Sequence, residues 1–383
     1  MPAATPNREY FPLLDALRGP AALLVFLEHW RNLFFADYDR LENPGILMKL
    51  FYLFSGAGHE AVLVFFVLSG CVIAHVIRSM HDARCDRWSW TSYLSARLTR
   101  LWVVLIPALL LTAFWDRLGL HFQGRIYQGE GFGNILNSPV EESLSPLVFI
   151  GNLFFLQRIA LPTFGSNGPL WSIAYEFVYY LAYPALILCF FTSGLRWWVR
   201  LLMLGFAITV LGFAGSPILA AFPIWLAGVG AYWLFRKFPF SARWSLPGFA
   251  LGTILVVGCI VGSRSGYRIP NVDWKWLLAS ATAFAIYCGM SAGPSRQLSQ
   301  LLKPLQALSA ISYSLYLFHM PILVFGASLL FVNQDSRWHP DGRELVFGLL
   351  IAAGVFLYSV LMWYGTEHQT GRVRRWMRRK TEG

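Results

Sequence analysis

Ten apolar segments follow one another along this chain, each close to the length that crosses a bilayer. A transmembrane helix needs about 20 predominantly apolar residues, and only 13% of the residues here are charged. The segments are residues 13–30 (continuing apolar through 35), 61–77, 101–115, 170–191, 201–215, 218–235, 246–261, 276–290, 305–331 and 345–364. The pattern predicts an all-α integral membrane protein with about ten transmembrane helices and excludes a sizeable soluble domain.

The distribution of basic residues predicts the orientation. If the N-terminus is cytoplasmic, most of the 31 Lys and Arg residues fall on the cytoplasmic side, as the positive-inside rule requires. Membrane orientation therefore explains the net charge of +11, and we expect membrane lipid as a partner but no nucleic acid. We predict one multi-pass domain over residues 1–383 with both termini cytoplasmic, including an N-terminal segment at 1–12 and a basic tail at 367–383.

Two further stretches differ from the ten apolar segments, one because it is polar and the other because it is short. Residues 118–145 are polar and predict an extramembrane loop, whereas residues 147–156 are apolar but too short to cross, which favours a re-entrant or interfacial segment. The five cysteines have neither metal-ligand spacing nor a paired framework, so we expect no metal site and no disulfide. No removable signal peptide is evident at the N-terminus.

The first apolar segment contains ionisable residues: Asp15, Arg18, Glu28 and His29. Such groups are costly inside a membrane and indicate function or internal pairing. Arg18 and His29 are eleven residues apart, close to three helical turns, so they share one face about 16 Å apart. A structural ion pair between Asp15 and Arg18, with Glu28 and His29 at a hydrated outer end, is the alternative.

Two more arginines precede the third span. Arg97 and Arg100 lie one turn apart at the cytoplasmic level, and planar guanidinium groups suit phosphate. Together with Arg18 they would form an anion site. Ordinary positive-inside flanking is the alternative interpretation.

Polar side chains also recur at helical spacing in the fourth and ninth spans. Ser172, Tyr175 and Glu176 follow the fourth span's start, and Tyr316 and His319 form a stripe in the ninth. A polar, aromatic face with a buried carboxylate suits a substrate rich in hydroxyl groups. An aromatic interface belt and a hydrogen-bonded packing histidine are the respective alternatives.

Six ordered signatures run through the whole chain. They are Arg18-Gly-Pro-Ala with His29, VLVFFVLSG at 62–70, Arg97-x-x-Arg100 with Pro107, PLWSIAYE at 169–176, ISYSLYLFHMP at 311–321, and Glu367 before a basic tail. In this order they resemble the membrane-bound acyltransferase 3 family of O-acyltransferases. The resemblance implies transfer of an acyl group, commonly acetyl from acetyl-CoA, to a hydroxyl of a carbohydrate or other extracytoplasmic acceptor, in a bacterial plasma (inner) membrane.

The resemblance and the helix geometry together suggest a mechanism. Acyl-CoA would dock from the cytoplasm with its phosphates on Arg18, Arg97 and Arg100, and act as co-substrate beside no permanently bound cofactor. His29 would serve as general base or transient acyl carrier, with Glu176 orienting it or holding the acceptor. The carbohydrate or glycolipid acceptor would contact Trp171, Ser172, Tyr175, Tyr316 and His319.

Other interpretations remain open at this point. Intramembrane His, Glu and Arg residues also fit a proton-coupled secondary transporter of an organic anion, and a scaffold subunit of an envelope assembly would need no catalysis. Some members of the resembled family carry an appended hydrolase-like domain. Since this chain ends soon after its last span, we expect direct transfer or a separate partner. The acceptor, the acyl chain length and homo-oligomerisation stay open.

Overall fold

The fold is described from a computed structural model. The residues it describes are 11–83, 88–122, 124–129, 135–136, 138–192, 194–292 and 296–381. Within these ranges the chain forms helices and no β-strand, which confirms the predicted all-α membrane protein. The predicted N-terminal segment 1–12 lies outside the described residues except for its last two, as do the last two residues of the tail and part of the loop 118–145.

Fifteen α-helices occur among the described residues, numbered in chain order. They are α1 Pro12–Phe34, α2 Ile46–Ser55, α3 Gly58–Ala83, α4 Trp90–His121, α5 Pro146–Leu153, α6 Trp171–Phe191, α7 Trp197–Ala214, α8 Ser216–Lys237, α9 Ala242–Arg264, α10 Trp274–Met290, α11 Arg296–Leu301, α12 Lys303–Ala310, α13 Ser312–Leu330, α14 Gly342–Gly365 and α15 Thr370–Thr381.

Eight of these helices are long and apolar enough to cross a membrane in the described part of the chain: α3, α4, α6, α7, α8, α9, α13 and α14. The other two predicted spans also coincide with helices. One is α1, which has 23 residues but contains several charged side chains. The other is α10, which has 17 residues. The count of ten spans and the cytoplasmic termini therefore stay predictions.

The helices differ from the predicted segments in three places. The predicted span 305–331 is divided at Ile311 into α12 and α13. The reason is tertiary: Glu367 accepts hydrogen bonds from the backbone N–H and the hydroxyl of Ser314, at 3.1 and 2.9 Å. The Ser314 N–H lies in the first turn of α13, where backbone N–H groups have no acceptor within the helix, and Glu367 supplies one. In addition, α4 extends well beyond 101–115, and the helix α2 was not predicted.

The chain divides into two compact units. Unit 1 comprises Met1–Ala21, Glu60–Ser89 and Tyr175–Ser309, and unit 2 comprises Ala22–His59, Trp90–Ala174 and Ala310–Gly383. The prediction of a single domain is not tested by this division.

Unit 1 is held together by close helix packing. At the contact between α3 and α8, a Cβ added to Gly228 would overlap the carbonyl oxygen of Val67, and one added to Gly70 would overlap that of Trp225. Small residues allow this close approach, which compensates in a membrane for the weak hydrophobic drive between helices.

In unit 2, α13 packs against α4 and α14, and polar contacts fix these helices in register. The hydroxyl of Tyr313 donates to the Leu101 carbonyl at 3.4 Å. The indole N–H of Trp30 donates to the Gly348 carbonyl on α14 at 2.8 Å. Trp30 follows His29 directly, so this bond also fixes the part of α1 that carries His29.

Candidate active site

Two histidines face each other inside unit 2. Nδ1 of His29 lies 2.9 Å from Nε2 of His319, and the ring centroids are 5.1 Å apart at 30°. The His319 side chain is fully buried, with 0% of its surface exposed, whereas His29 is partly exposed. The sequence placed His29 at the centre of the chemistry and His319 among acceptor-binding residues. The structure brings the two together.

The remaining contacts determine the tautomer of each ring. Nδ1 of His319 lies 2.7 Å from the Leu315 carbonyl, and because a carbonyl only accepts, this nitrogen must carry the hydrogen. In the neutral ring, Nε2 of His319 is then an acceptor, so Nδ1 of His29 donates to it. The lone pair of His29 therefore resides on Nε2, the ring nitrogen that does not contact His319. The pair presents an available basic nitrogen with a fixed orientation.

The part of α1 around His29 is packed by aromatic groups. Phe26 contacts the His319 ring edge-to-face at 5.9 Å, and the Arg31 guanidinium lies 5.0 Å from the centre of the Tyr52 ring. Tyr52, on the short helix α2, donates to the Ala36 carbonyl at 2.6 Å. Burial raises the pKa of Tyr52 to about 12, so its hydroxyl keeps this hydrogen bond throughout the ordinary pH range.

Two predicted acceptor-binding residues lie beside the histidine pair. The hydroxyls of Ser172 and Tyr316 are 2.7 Å apart, and the Tyr316 hydroxyl is 3.0 Å from the Pro169 carbonyl. The Tyr316 ring centroid is 6.4 Å from that of His319. Trp171 begins α6 immediately before Ser172. Four of the five predicted acceptor residues thus belong to unit 2, and Ser172, Tyr316 and His319 form one cluster there.

Sequence reasoning missed a buried polar segment next to this cluster. Asp116, on α4, accepts from the backbone N–H and the hydroxyl of Ser166, at 2.7 and 2.6 Å. Asn167 donates to the Thr112 hydroxyl at 3.1 Å and to the Leu317 carbonyl at 3.0 Å. A signal was present, because Asp116 directly follows the apolar run 101–115, and intramembrane carboxylates indicate a specific partner.

Glu176 and Tyr175 belong to unit 1 and have partners there. The Ser69 hydroxyl donates to Glu176 at 2.7 Å, the Tyr180 hydroxyl also donates to the same carboxylate oxygen, and the Tyr175 ring stacks on Phe66 at 5.9 Å. The carboxylate is thus held by two hydroxyl groups. Its predicted role toward His29 or the acceptor stays a prediction.

The three predicted phosphate-binding arginines occupy different environments. Arg18 lies 3.6 Å from Asp15, as the ion-pair interpretation expected, and Asp15 also accepts from the Ser309 hydroxyl at 3.1 Å. On α4, Arg97 is buried and Arg100 is exposed. Arg18 belongs to unit 1 and the other two to unit 2, so a joint phosphate site stays a prediction. No group of three or more His, Cys, Asp or Glu side chains that could hold a metal occurs among the described residues.

Comparison with known proteins decides the family. A family model described as an acyltransferase domain, that of acyltransferase 3, matches residues 11–364. The chain belongs to the acyltransferase 3 family. This confirms the resemblance drawn from the six signatures and favours an acyltransferase over a transporter or a scaffold.

Two curated relatives are similar over most of this acyltransferase 3 chain. One is the peptidoglycan O-acetyltransferase OatA of Listeria monocytogenes, 24% identical over 365 residues, which cover 87% of this chain and 52% of the relative. The other is named "Putative peptidoglycan O-acetyltransferase YrhL", of Bacillus subtilis, 22% identical over 370 residues, which cover 88% and 52%. The chain thus spans about half the length of these relatives. No solved structure matches it.

Proposed function

We propose that this acyltransferase 3 chain is a bacterial membrane O-acetyltransferase that moves an acetyl group from acetyl-CoA to a hydroxyl of a carbohydrate. The observation that carries the proposal is the His29–His319 pair, which supplies an oriented basic nitrogen in a chain of an acyltransferase family. The names of the two relatives support peptidoglycan as the class of acceptor.

The proposed reaction needs one group that takes up a proton and later returns it. Nε2 of His29 removes the proton from the acceptor hydroxyl as its oxygen attacks the thioester carbonyl. The carbon–sulfur bond breaks, and the departing thiolate takes the proton from His29 to give CoA and the O-acetyl ester. General base catalysis of this kind contributes typically 10²–10⁴-fold in rate. A transient acetyl-histidine at the same nitrogen is the alternative route.

The donor would reach His29 along α1. This helix runs from Pro12 to Phe34 and contains Pro20. We propose that Arg18, Arg97 and Arg100 bind the phosphates of CoA at the cytoplasmic side of a ten-span protein with both termini inside the cell. The acceptor would bind at Trp171, Ser172, Tyr175 and Tyr316, with Glu176 holding one of its hydroxyl groups.

The test is transfer of labelled acetyl from acetyl-CoA by the purified protein in detergent. Wild type is compared with His29→Ala and with His59→Ala, a matched control because His59 is an exposed histidine in the first turn of α3. Each is assayed without acceptor, with peptidoglycan fragments and with unrelated glycans, and binding of CoA is measured in parallel.

We expect acceptor-dependent label transfer by wild type and His59→Ala, and loss of transfer with retained CoA binding in His29→Ala. Transfer that prefers another glycan would change the acceptor but keep the enzyme class. If His29→Ala transfers acetyl as fast as wild type, or if wild type neither binds CoA nor transfers acetyl, the proposed reaction is wrong.

A further inference from the structure

Pro321 leaves a carbonyl of α13 without its usual partner. Pro321 lies inside α13, two residues after His319, and proline has no N–H to donate to the carbonyl four residues earlier. That carbonyl belongs to Leu317, whose surface is 0% exposed. A buried acceptor without a donor is destabilising, so the turn of α13 that carries His319 requires a hydrogen bond from outside the helix.

Asn167 supplies this hydrogen bond. Its Nδ2 donates to the Leu317 carbonyl at 3.0 Å and to the Thr112 hydroxyl at 3.1 Å. The Thr112 hydroxyl gives its own hydrogen to the Ala108 carbonyl at 2.8 Å, so toward Asn167 it can only accept. Both contacts therefore require the NH₂ group of the amide. Asn167 provides the donor that Pro321 lacks.

The segment around Asn167 is itself firmly held. Ser166 is bonded to Asp116 through both its N–H and its hydroxyl, at 2.7 and 2.6 Å. Two residues after Asn167, the Pro169 carbonyl lies 3.0 Å from the Tyr316 hydroxyl. The segment thus contacts α13 at Tyr316 and at Leu317, directly before His319, and ties that turn to α4.

We propose that Asn167 is a positioning residue that sets the orientation of His319, and through it the ring of His29, by replacing the missing amide of Pro321. The inference rests on the proposed function, because the position of His319 matters for catalysis only if His29 is the base. Without the Asn167 bond, the Leu317 carbonyl turns toward another donor, the turn of α13 shifts, and Nε2 of His319 leaves its place 2.9 Å from His29.

The exchange of donors can be tested with a double-mutant cycle. Asn167→Ala should lower kcat for acetyl transfer about tenfold, or about 1.4 kcal/mol of activation free energy, with the KM for acetyl-CoA within about twofold of wild type. Pro321→Ala restores an amide that can bond to Leu317. In that background, Asn167→Ala should cost less than about threefold. Distant sites without shared partners would instead give additive effects.

A matched control comes from the same part of unit 2. Asn152 is also fully buried, and its Nδ2 donates to the Val148 and Pro162 carbonyls at 2.9 Å each. These contacts do not involve α13. Asn152→Ala removes a comparable buried amide, so it should lower thermal stability. Its effect on kcat should be the same in wild-type protein and in the Pro321→Ala background.

A second measurement does not depend on turnover. In the NMR spectrum of protein labelled with ¹⁵N-histidine, the hydrogen of His319 should be found on Nδ1. Nε2 of His319 should have the ¹⁵N chemical shift of a hydrogen-bond acceptor, called the acceptor shift below. His29→Gln and His319→Gln variants assign the signals. Asn167→Ala should abolish the acceptor shift, and the double variant with Pro321→Ala should restore it.

The outcomes separate the two proposals. Loss and recovery of the acceptor shift without any acetyl transfer would support the positioning role and overturn the proposed reaction. Additive kinetic effects with an unchanged histidine spectrum would overturn the positioning role while leaving the reaction intact. If Asn167→Ala does not fold but the double variant does, the exchange of donors is supported. If neither folds, Asn167 acts through another contact and the inference is wrong.

Discussion

Replacement of His319 tests the histidine pair most directly, and the structure gives the size of the effect. His319→Leu keeps a side chain of similar size in the buried position but removes the acceptor for Nδ1–H of His29. A buried donor left without a partner costs about 1–3 kcal/mol. If this cost raises the free energy of the ring orientation in which His29 reacts, kcat drops by about fivefold to about 150-fold. The conversion is that about 1.4 kcal/mol corresponds to a factor of ten in rate.

His319→Gln is the matched variant, because a glutamine amide can both donate and accept. It can replace the bond to the Leu315 carbonyl and the bond from His29, so we expect it to recover part of the lost rate. His29→Ala removes the base itself and should cost about 10²–10⁴-fold. The expected order of kcat is therefore wild type, then His319→Gln, then His319→Leu, then His29→Ala.

The assay is steady-state release of CoA from acetyl-CoA in the presence of acceptor, with CoA binding measured for each variant. A rise in the KM for acetyl-CoA without a change in kcat would indicate a binding role for His319 and contradict the orientation argument. Full activity of His319→Leu would show that the hydrogen bond has no catalytic role. Inactivity of both His319 variants, with His29→Ala retaining activity, would mean that the two roles are reversed.

Two further predictions concern stability, each measured by thermal unfolding in detergent. Gly228→Ala places a Cβ against the Val67 carbonyl and should destabilise the protein by about 1–3 kcal/mol, whereas Gly230→Ala on the same helix meets open space and should change little; equal effects would contradict the packing argument. Glu367→Ala removes the acceptor for Ser314 at the start of α13 and should cost about 0.5–2 kcal/mol. Ser314→Ala combined with Glu367→Ala should be less than additive, and strict additivity would exclude a shared hydrogen bond.

The helices could be predicted from local sequence, and His29 could be named as a candidate from it. Apolar length is a local property, so nine of the ten segments each coincide with one helix, and the remaining one, 305–331, covers two. The charges in α1 were equally visible, and His29 was favoured because its spacing predicts a face shared with Arg18 and because the family motif agrees; its catalytic role stays a prediction. These predictions depend on residues close together in the chain, and they needed no knowledge of tertiary contacts.

The partner of His29 could not be predicted in the same way. His319 is 290 residues away, and its motif fits a packing histidine as well as a functional one. The sequence suggested that Glu176 orients His29 or holds the acceptor, and that role stays a prediction. The structure adds a second imidazole, that of His319, in contact with His29. Only the packing of α13 in unit 2 decides this.

The contacts of Asn167 and Glu367 were hidden for a similar reason. Each side chain satisfies a backbone group on α13 that the helix itself leaves open, one at its first turn and one at Leu317. Pro321 indicates from sequence that a carbonyl lacks its usual N–H donor, but it does not indicate which side chain supplies the missing donor. The break at Ile311 likewise depends on a carboxylate more than fifty residues later, so an apolar run alone predicted one long helix.

The uncharged character of the histidine pair has an electrostatic benefit. A carboxylate partner would bring a formal charge into the membrane, at a desolvation cost of several kcal/mol. Two neutral imidazoles joined by one hydrogen bond avoid this self-energy in the resting enzyme. In the proposed reaction, positive charge arises only while a proton is in transit from the acceptor oxygen to the departing sulfur, so the low-dielectric surroundings penalise a short-lived species and not the ground state.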